Sequence, residues 1–125
     1  MNWQSPSIAV RAALVVVAWA GMTIHDVYEL PAIIPLGPEF TIPSLIYFVL
    51  GFAWVARPAG RLRVIFATWL VLNFIGGAFL SVLPLPFLPF EPEQTVAHYA
   101  THMIYGLAQL SALWLMRGAG KSDPS

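Results

Sequence analysis

The amino-acid sequence predicts an all-α, polytopic membrane protein: a four-helix transmembrane bundle with cytoplasmic N and C termini. Three observations carry this reading. They are the composition, the spacing of four apolar stretches, and the side of those stretches on which each charge falls.

Of the 125 residues, 58% are hydrophobic and only 10% are charged. A soluble domain carries about 25% charged residues, so a chain this apolar cannot cover its surface with polar groups unless lipid is part of its solvent. Net charge is zero, which gives no support for a nucleic-acid partner. The chain has no cysteine, which excludes disulfides, thiolate metal sites, cysteine-ligated iron–sulfur clusters and cysteine nucleophiles.

Each apolar stretch approaches the roughly 20 residues needed to cross a bilayer core. The first span is predicted over residues 7–28, around the block 12–20. The second, 41–56, is short, with Pro43 near its start, where a missing N–H costs little. The third, 64–83, follows Arg61 and Arg63 and contains the small-residue patch Gly76-Gly77-Ala78, which suits close helix approach. The fourth, 96–116, stops at Arg117. The residues outside these spans at either end, 1–6 and 118–125, read as short tails, so the whole of 1–125 is expected to form one integral membrane domain.

The charges sort by loop. Arg11, Arg57, Arg61, Arg63, Arg117 and Lys121 all fall on one side of a four-span topology. Asp26, Glu29, Glu39, Glu91 and Glu93 fall on the other. The positive-inside rule then places the termini and the 57–63 loop in the cytoplasm and the loops 26–40 and 84–95 outside. The expected location is the bacterial cytoplasmic membrane, with lipid as the first partner. A cleaved signal peptide is the rival for the first segment, since Ala18-Trp19-Ala20 resembles a cleavage site. The apolar run continues through Met22 and Ile24, which favours a span.

The outer loops LPAIIPLGPEF (30–40) and LPLPFLPFEP (83–92) are apolar and proline-rich. Neither is expected to continue a regular helix. They are read as extended caps at the interface, with a lid over an outer-face ligand as the sharper alternative.

All three histidines fall near outer helix ends. His25 and Glu29 are four residues apart at the end of the first span, and His98 and His102 are four apart at the start of the fourth. Residues at i and i+4 share a helix face. If the first and fourth helices are neighbours, as closure of a bundle with short loops implies, the two pairs supply three imidazoles and one carboxylate at one depth. That set suits zinc, copper or iron. A haem b is the second cofactor these residues permit, with His25 and either His98 or His102 as axial ligands. His98 and His102 project from one face of one helix and cannot both serve. The bland alternative is an ordinary polar interface network, with Asp26, Glu29 and His98 in water. His102, about one turn deeper, is harder to reconcile with it, because an ionisable group below the interface tends to face a partner or a cavity.

Elsewhere, Arg11 is expected to snorkel to the cytoplasmic surface, and Asn73, at mid-span, to hydrogen-bond another helix. Trp19 and Trp69 read as packing anchors. Tyr28, Tyr47, Tyr99 and Tyr105 lie towards the outer half, with Tyr99 and Tyr105 as further ligand contacts. There is no glycine-rich phosphate loop, no HExxH and no GxSxG, and HYATH at 98–102 lacks the glutamate of a zinc-protease motif. The leading functional expectation is therefore a non-catalytic component of a larger membrane complex. The first alternative is a cofactor-bearing redox or metal-handling protein using His25, Glu29, His98 and His102. The second is a small transporter or channel built as a homo-oligomer.

Overall fold

The computed structural model describes residues 6–29, 37–58 and 60–117, and throughout these the regular structure is helical. Helix α1 is Ile8–Glu29, α2 is Pro38–Ala56, α3 is Gly60–Leu72 and α4 is Val96–Met116. Helix α3 does not stop at Leu72 but passes into a π-helical segment, Asn73–Phe79, and then a single 3-10 turn, Leu80–Val82.

Three of the helical runs are long and apolar enough to cross a membrane: Ile8–Glu29, Pro38–Ala56 and Gly60–Val82. The protein is thus a helical, multi-pass membrane protein. Helix α4 is 21 residues long and falls outside that set because His98, His102 and Gln109 lower its mean hydropathy. These polar residues are buried against the other helices, so the cost shows in hydropathy and not in lipid exposure.

The α4 boundaries coincide with the expected ones, and α1 lies within a residue of them at either end. The other two helices begin earlier than expected. Helix α2 starts at Pro38, whose fixed φ suits the first helical position, so the end of the first proline-rich loop is helical after all. Pro43 consequently lies inside the helix, where it removes one i→i−4 hydrogen bond. Helix α3 starts at Gly60, whose φ of +61° is the left-handed turn glycine adopts without a Cβ penalty. The expected 57–63 loop shrinks accordingly, and Arg61 and Arg63 belong to the first turns of α3. The rest of the first proline-rich loop, residues 30–36, and most of the expected tails lie outside the described residues. The second proline-rich loop has no regular helix beyond Val82, and it holds Phe87 and Phe90 exposed.

The most extensive interhelical contact joins α1 to α4, which closes the bundle as the short loops implied. Close approach is possible because Gly21 of α1 has no side chain: a Cβ there would lie 2.4 Å from the Cβ of Ala108. Val15 and Ala18 of α1, Tyr47 and Trp54 of α2, Phe66 and Leu70 of α3, and Ala112 of α4 form the fully buried centre. Polar side chains cross-link it. Tyr47 donates to Gln109 Oε1 at 2.7 Å, and Gln109 Nε2 donates to the Ala18 carbonyl at 2.8 Å. Asn73 accepts from the Tyr105 hydroxyl at 2.5 Å, the interhelical bond expected of it. Ala18, at the candidate cleavage site, is thereby built into the core. Trp19 acts as the expected anchor, packing on Phe40 and Phe48 and donating to Ser44 Oγ at 2.9 Å. Trp69 packs edge-on to Tyr47.

Arg11 does more than reach for the surface. Its Nε and one terminal nitrogen donate to the Val55 carbonyl at 3.2 and 3.1 Å. Carbonyls at a helix C-terminus lack intrahelical partners, so Arg11 fastens α1 to the last turn of α2.

Candidate metal centre

Helix α1 delivers His25, Asp26 and Glu29 in its last turns, and α4 delivers His98 and His102 in its first two. Thr95 caps α4, its hydroxyl accepting from the His98 backbone N–H at 3.2 Å, which fixes the direction in which the first turn presents its histidine. The α1–α4 contact then brings the two sets to one place.

His25 Nε2 lies 3.0 Å from His102 Nε2, and His102 Nε2 lies 2.9 Å from His98 Nε2. The His102 ring stands nearly edge-on between the other two, at interplanar angles of 74° and 71°. Glu29 Oε1 lies 2.6 Å from His98 Nε2. Among the described residues the ligand atoms fall into two groups that share His98: His25, His98 and His102 in one, and Glu29, Glu93 and His98 in the other.

The other ring nitrogens define the tautomers. His102 Nδ1 is 3.0 Å from the Ala78 carbonyl, and His98 Nδ1 is 2.5 Å from the Glu93 carbonyl. A carbonyl can only accept, so each Nδ1 donates. His25 Nδ1 is 3.0 Å from Asp26 Oδ1 and donates to that carboxylate. The Nε2 atoms of neutral His25 and His102 then face each other as lone pairs, whereas the 2.6 Å contact of His98 Nε2 with the Glu29 carboxylate, which can only accept, calls for a proton or a cation at that nitrogen. Lone pairs at about 3 Å repel unless positive charge lies between them. A metal ion satisfies this demand, as does a proton shared between neighbouring nitrogens. With metal–nitrogen bonds of about 2.0–2.1 Å, tetrahedral ligand atoms stand about 3.3 Å apart, a few tenths of an ångström from the two separations that His102 makes with His25 and His98. Three Nδ1–H groups held by carboxylate or carbonyl oxygens are also the outer-shell pattern that orients metal-bound histidines.

Burial separates this arrangement from a wet interface network. His98 is 2% exposed, His102 4% and Asp26 8%, so the reading that leaves His98 and Asp26 in water does not hold. Glu29 is the outermost member, its side chain 31% exposed, and it gives the cluster an edge open to solvent. Asp26 Oδ2 is buried with no hydrogen-bond partner among the described residues. The contact of Asp26 with the cluster is through Oδ1 and His25.

The aromatic surroundings were partly visible beforehand. Tyr105 stacks on His25 at 5.6 Å between centroids, and Tyr28 stacks on His98 at 6.1 Å. The Tyr105 hydroxyl is turned to Asn73 and the Tyr99 hydroxyl to Gln94, so neither faces the Nε2 cluster as a ligand contact. Two participants gave no sequence signal, the carbonyls of Glu93 and Ala78. The second belongs to the π-helical segment, whose wider turn changes which backbone acceptors are free.

Comparison of the chain with protein-family models, with curated proteins and with solved structures gave no match. The functional reading therefore rests on this geometry.

Proposed function

We propose that this is a metal-binding membrane protein that holds one transition-metal ion at the outer end of a four-helix bundle. His25, His98 and His102 bind it through Nε2, and Glu29 is the fourth ligand or yields that position to a small molecule. One observation carries the reading: the Nε2 atoms of His25, His98 and His102 converge while each Nδ1 is already committed to an acceptor. Zinc, copper and iron(II) all accept imidazole and carboxylate ligands.

The same geometry favours a single ion over haem b. A porphyrin disc between His25 and an α4 histidine would have to enter where α1 and α4 pack directly together, one turn from the Gly21–Ala108 approach. In this reading α4 is the fourth span, its hydropathy lowered by the residues that serve the site. The charge sorting supports cytoplasmic termini and places the metal site at the opposite face, with a cytoplasmic membrane of the bacterial type as the setting. The expectation of a non-catalytic subunit in a larger complex is the rival of this proposal, since it predicts a metal-free chain that co-purifies with partners.

The test is metal analysis of the chain purified in mild detergent. One zinc, copper or iron per chain is expected, and less than about a tenth of that in His102→Ala. Metal-free protein that also fails to take up Zn2+ or Cu2+ after chelator treatment contradicts the proposal, as does a Soret band.

A further inference from the structure

At the end of α4 farthest from the histidines, two apolar grooves run along the helix and meet at one arginine. The first, about 430 Å³, lies between α3 and α4; Val64, Ala67, Val71 and Leu113 wall it, and Arg63 and Arg117 stand at its mouth. The second, about 510 Å³, is a shallow apolar depression on the exposed face of α4 itself, along Leu107, Leu110 and Trp114, and shares Leu113 and Arg117 with the first. From Leu107 to Arg117 the helix rises about 15 Å, half the hydrocarbon thickness of a bilayer. The second thus runs from an interface to the membrane midplane, and the first covers a similar depth along α3 from Arg63 to Leu72.

Two cations meet at the shared mouth. Among the described residues neither Arg63 nor Arg117 forms an ion pair, since the carboxylate contacts there are those of histidines. The first turn of α3 contains no acidic residue. Arg117 is held over the exposed Trp114 ring, 5.0 Å from its centroid, an arrangement that fixes a cation at headgroup level.

We propose that this end of α3 and α4 binds one anionic diacyl phospholipid. Its phosphate lies between Arg63 and Arg117, and one acyl chain occupies each groove. Charge complementarity selects the anionic headgroup. Two grooves diverging from one cation select a lipid with two chains over a fatty acid or a free phosphate. The site is at the opposite end of α4 from the metal centre and does not depend on it.

Native mass measurement and thermal melting of the full chain in mild detergent test the proposal. The probes are phosphatidylglycerol, phosphatidylcholine with the same chains, lysophosphatidylglycerol and glycerol phosphate. Retention of one phosphatidylglycerol is expected, with a higher Tm and a preference of about tenfold or more over phosphatidylcholine. The Arg63→Gln/Arg117→Gln variant loses that preference, while Arg57→Gln, an exposed cation outside both grooves, keeps it. Equal retention of the two diacyl lipids overturns the proposal, as does a preference that survives the double substitution. An equal Tm rise with the lysolipid or with glycerol phosphate overturns the two-chain assignment.

Discussion

Each imidazole of the cluster does two jobs with its two nitrogens. Nδ1 is spent on holding the ring, through Asp26 for His25, the Glu93 carbonyl for His98 and the Ala78 carbonyl for His102. Nε2 is left to face the centre. The convergence of the rings was partly legible in the sequence, because i, i+4 spacing puts His98 with His102 and His25 with Glu29 on shared faces. The holding of each ring was not. Every residue has a carbonyl, so nothing in a residue's identity marks Glu93 or Ala78 as an acceptor. Asp26 was visible as a neighbour of His25, but its burial depends on packing against α4. Asp26→Asn keeps the shape and removes the charge behind His25. Outer-shell changes of this kind cost about 10–100-fold in metal affinity. Titration of the chelator-treated variant with Zn2+ is expected to show a loss in that range with the same Tm for the metal-free protein. An unchanged affinity contradicts the role given to Asp26.

At the scale of elements, the site depends on an irregularity. Had the third span continued as α-helix through Asn73–Phe79, the register of Ala78 against α4 would shift and its carbonyl would not meet His102. The Gly76-Gly77 pair was legible as a place of close approach, and Gly77 fulfils it: a Cβ there would lie 2.5 Å from the Tyr105 hydroxyl oxygen. The change of helix type was not legible, because a uniformly apolar span offers no polar phase against which an extra residue would show. The same uniformity hid the true starts of α2 and α3, which proline and glycine geometry set and hydropathy does not. Deleting Gly76, whose Cβ direction is open space, removes the extra residue that a π turn carries. Metal affinity is expected to fall at least tenfold while the helical circular dichroism signal is retained. A π segment that is only a packing accident predicts full affinity in the deleted chain, and that result would remove it from the account of the site.

For the whole molecule, the membrane class was legible from composition and apolar length alone. The adjacency of α1 and α4 followed from loop length and bundle closure. The interior polar links were only partly legible. Asn73 stood out at mid-span, whereas Gln109, fully buried between Tyr47 and the Ala18 carbonyl, gave no signal that distinguished a core cross-link from an exposed amide. Of these links the Gln109–Ala18 bond ties α1 to α4, and the α1–α4 contact is what holds His25 against His98 and His102. The bundle therefore supplies the alignment, and the metal is expected to lock it. X-ray absorption of the zinc-loaded protein in detergent tests this most directly, since it counts imidazoles around the ion. The account predicts a nitrogen/oxygen shell near 2.0–2.1 Å with three histidine rings in wild type and two in His25→Ala. A zinc shell with at most one imidazole, or one unchanged by His25→Ala, would contradict it.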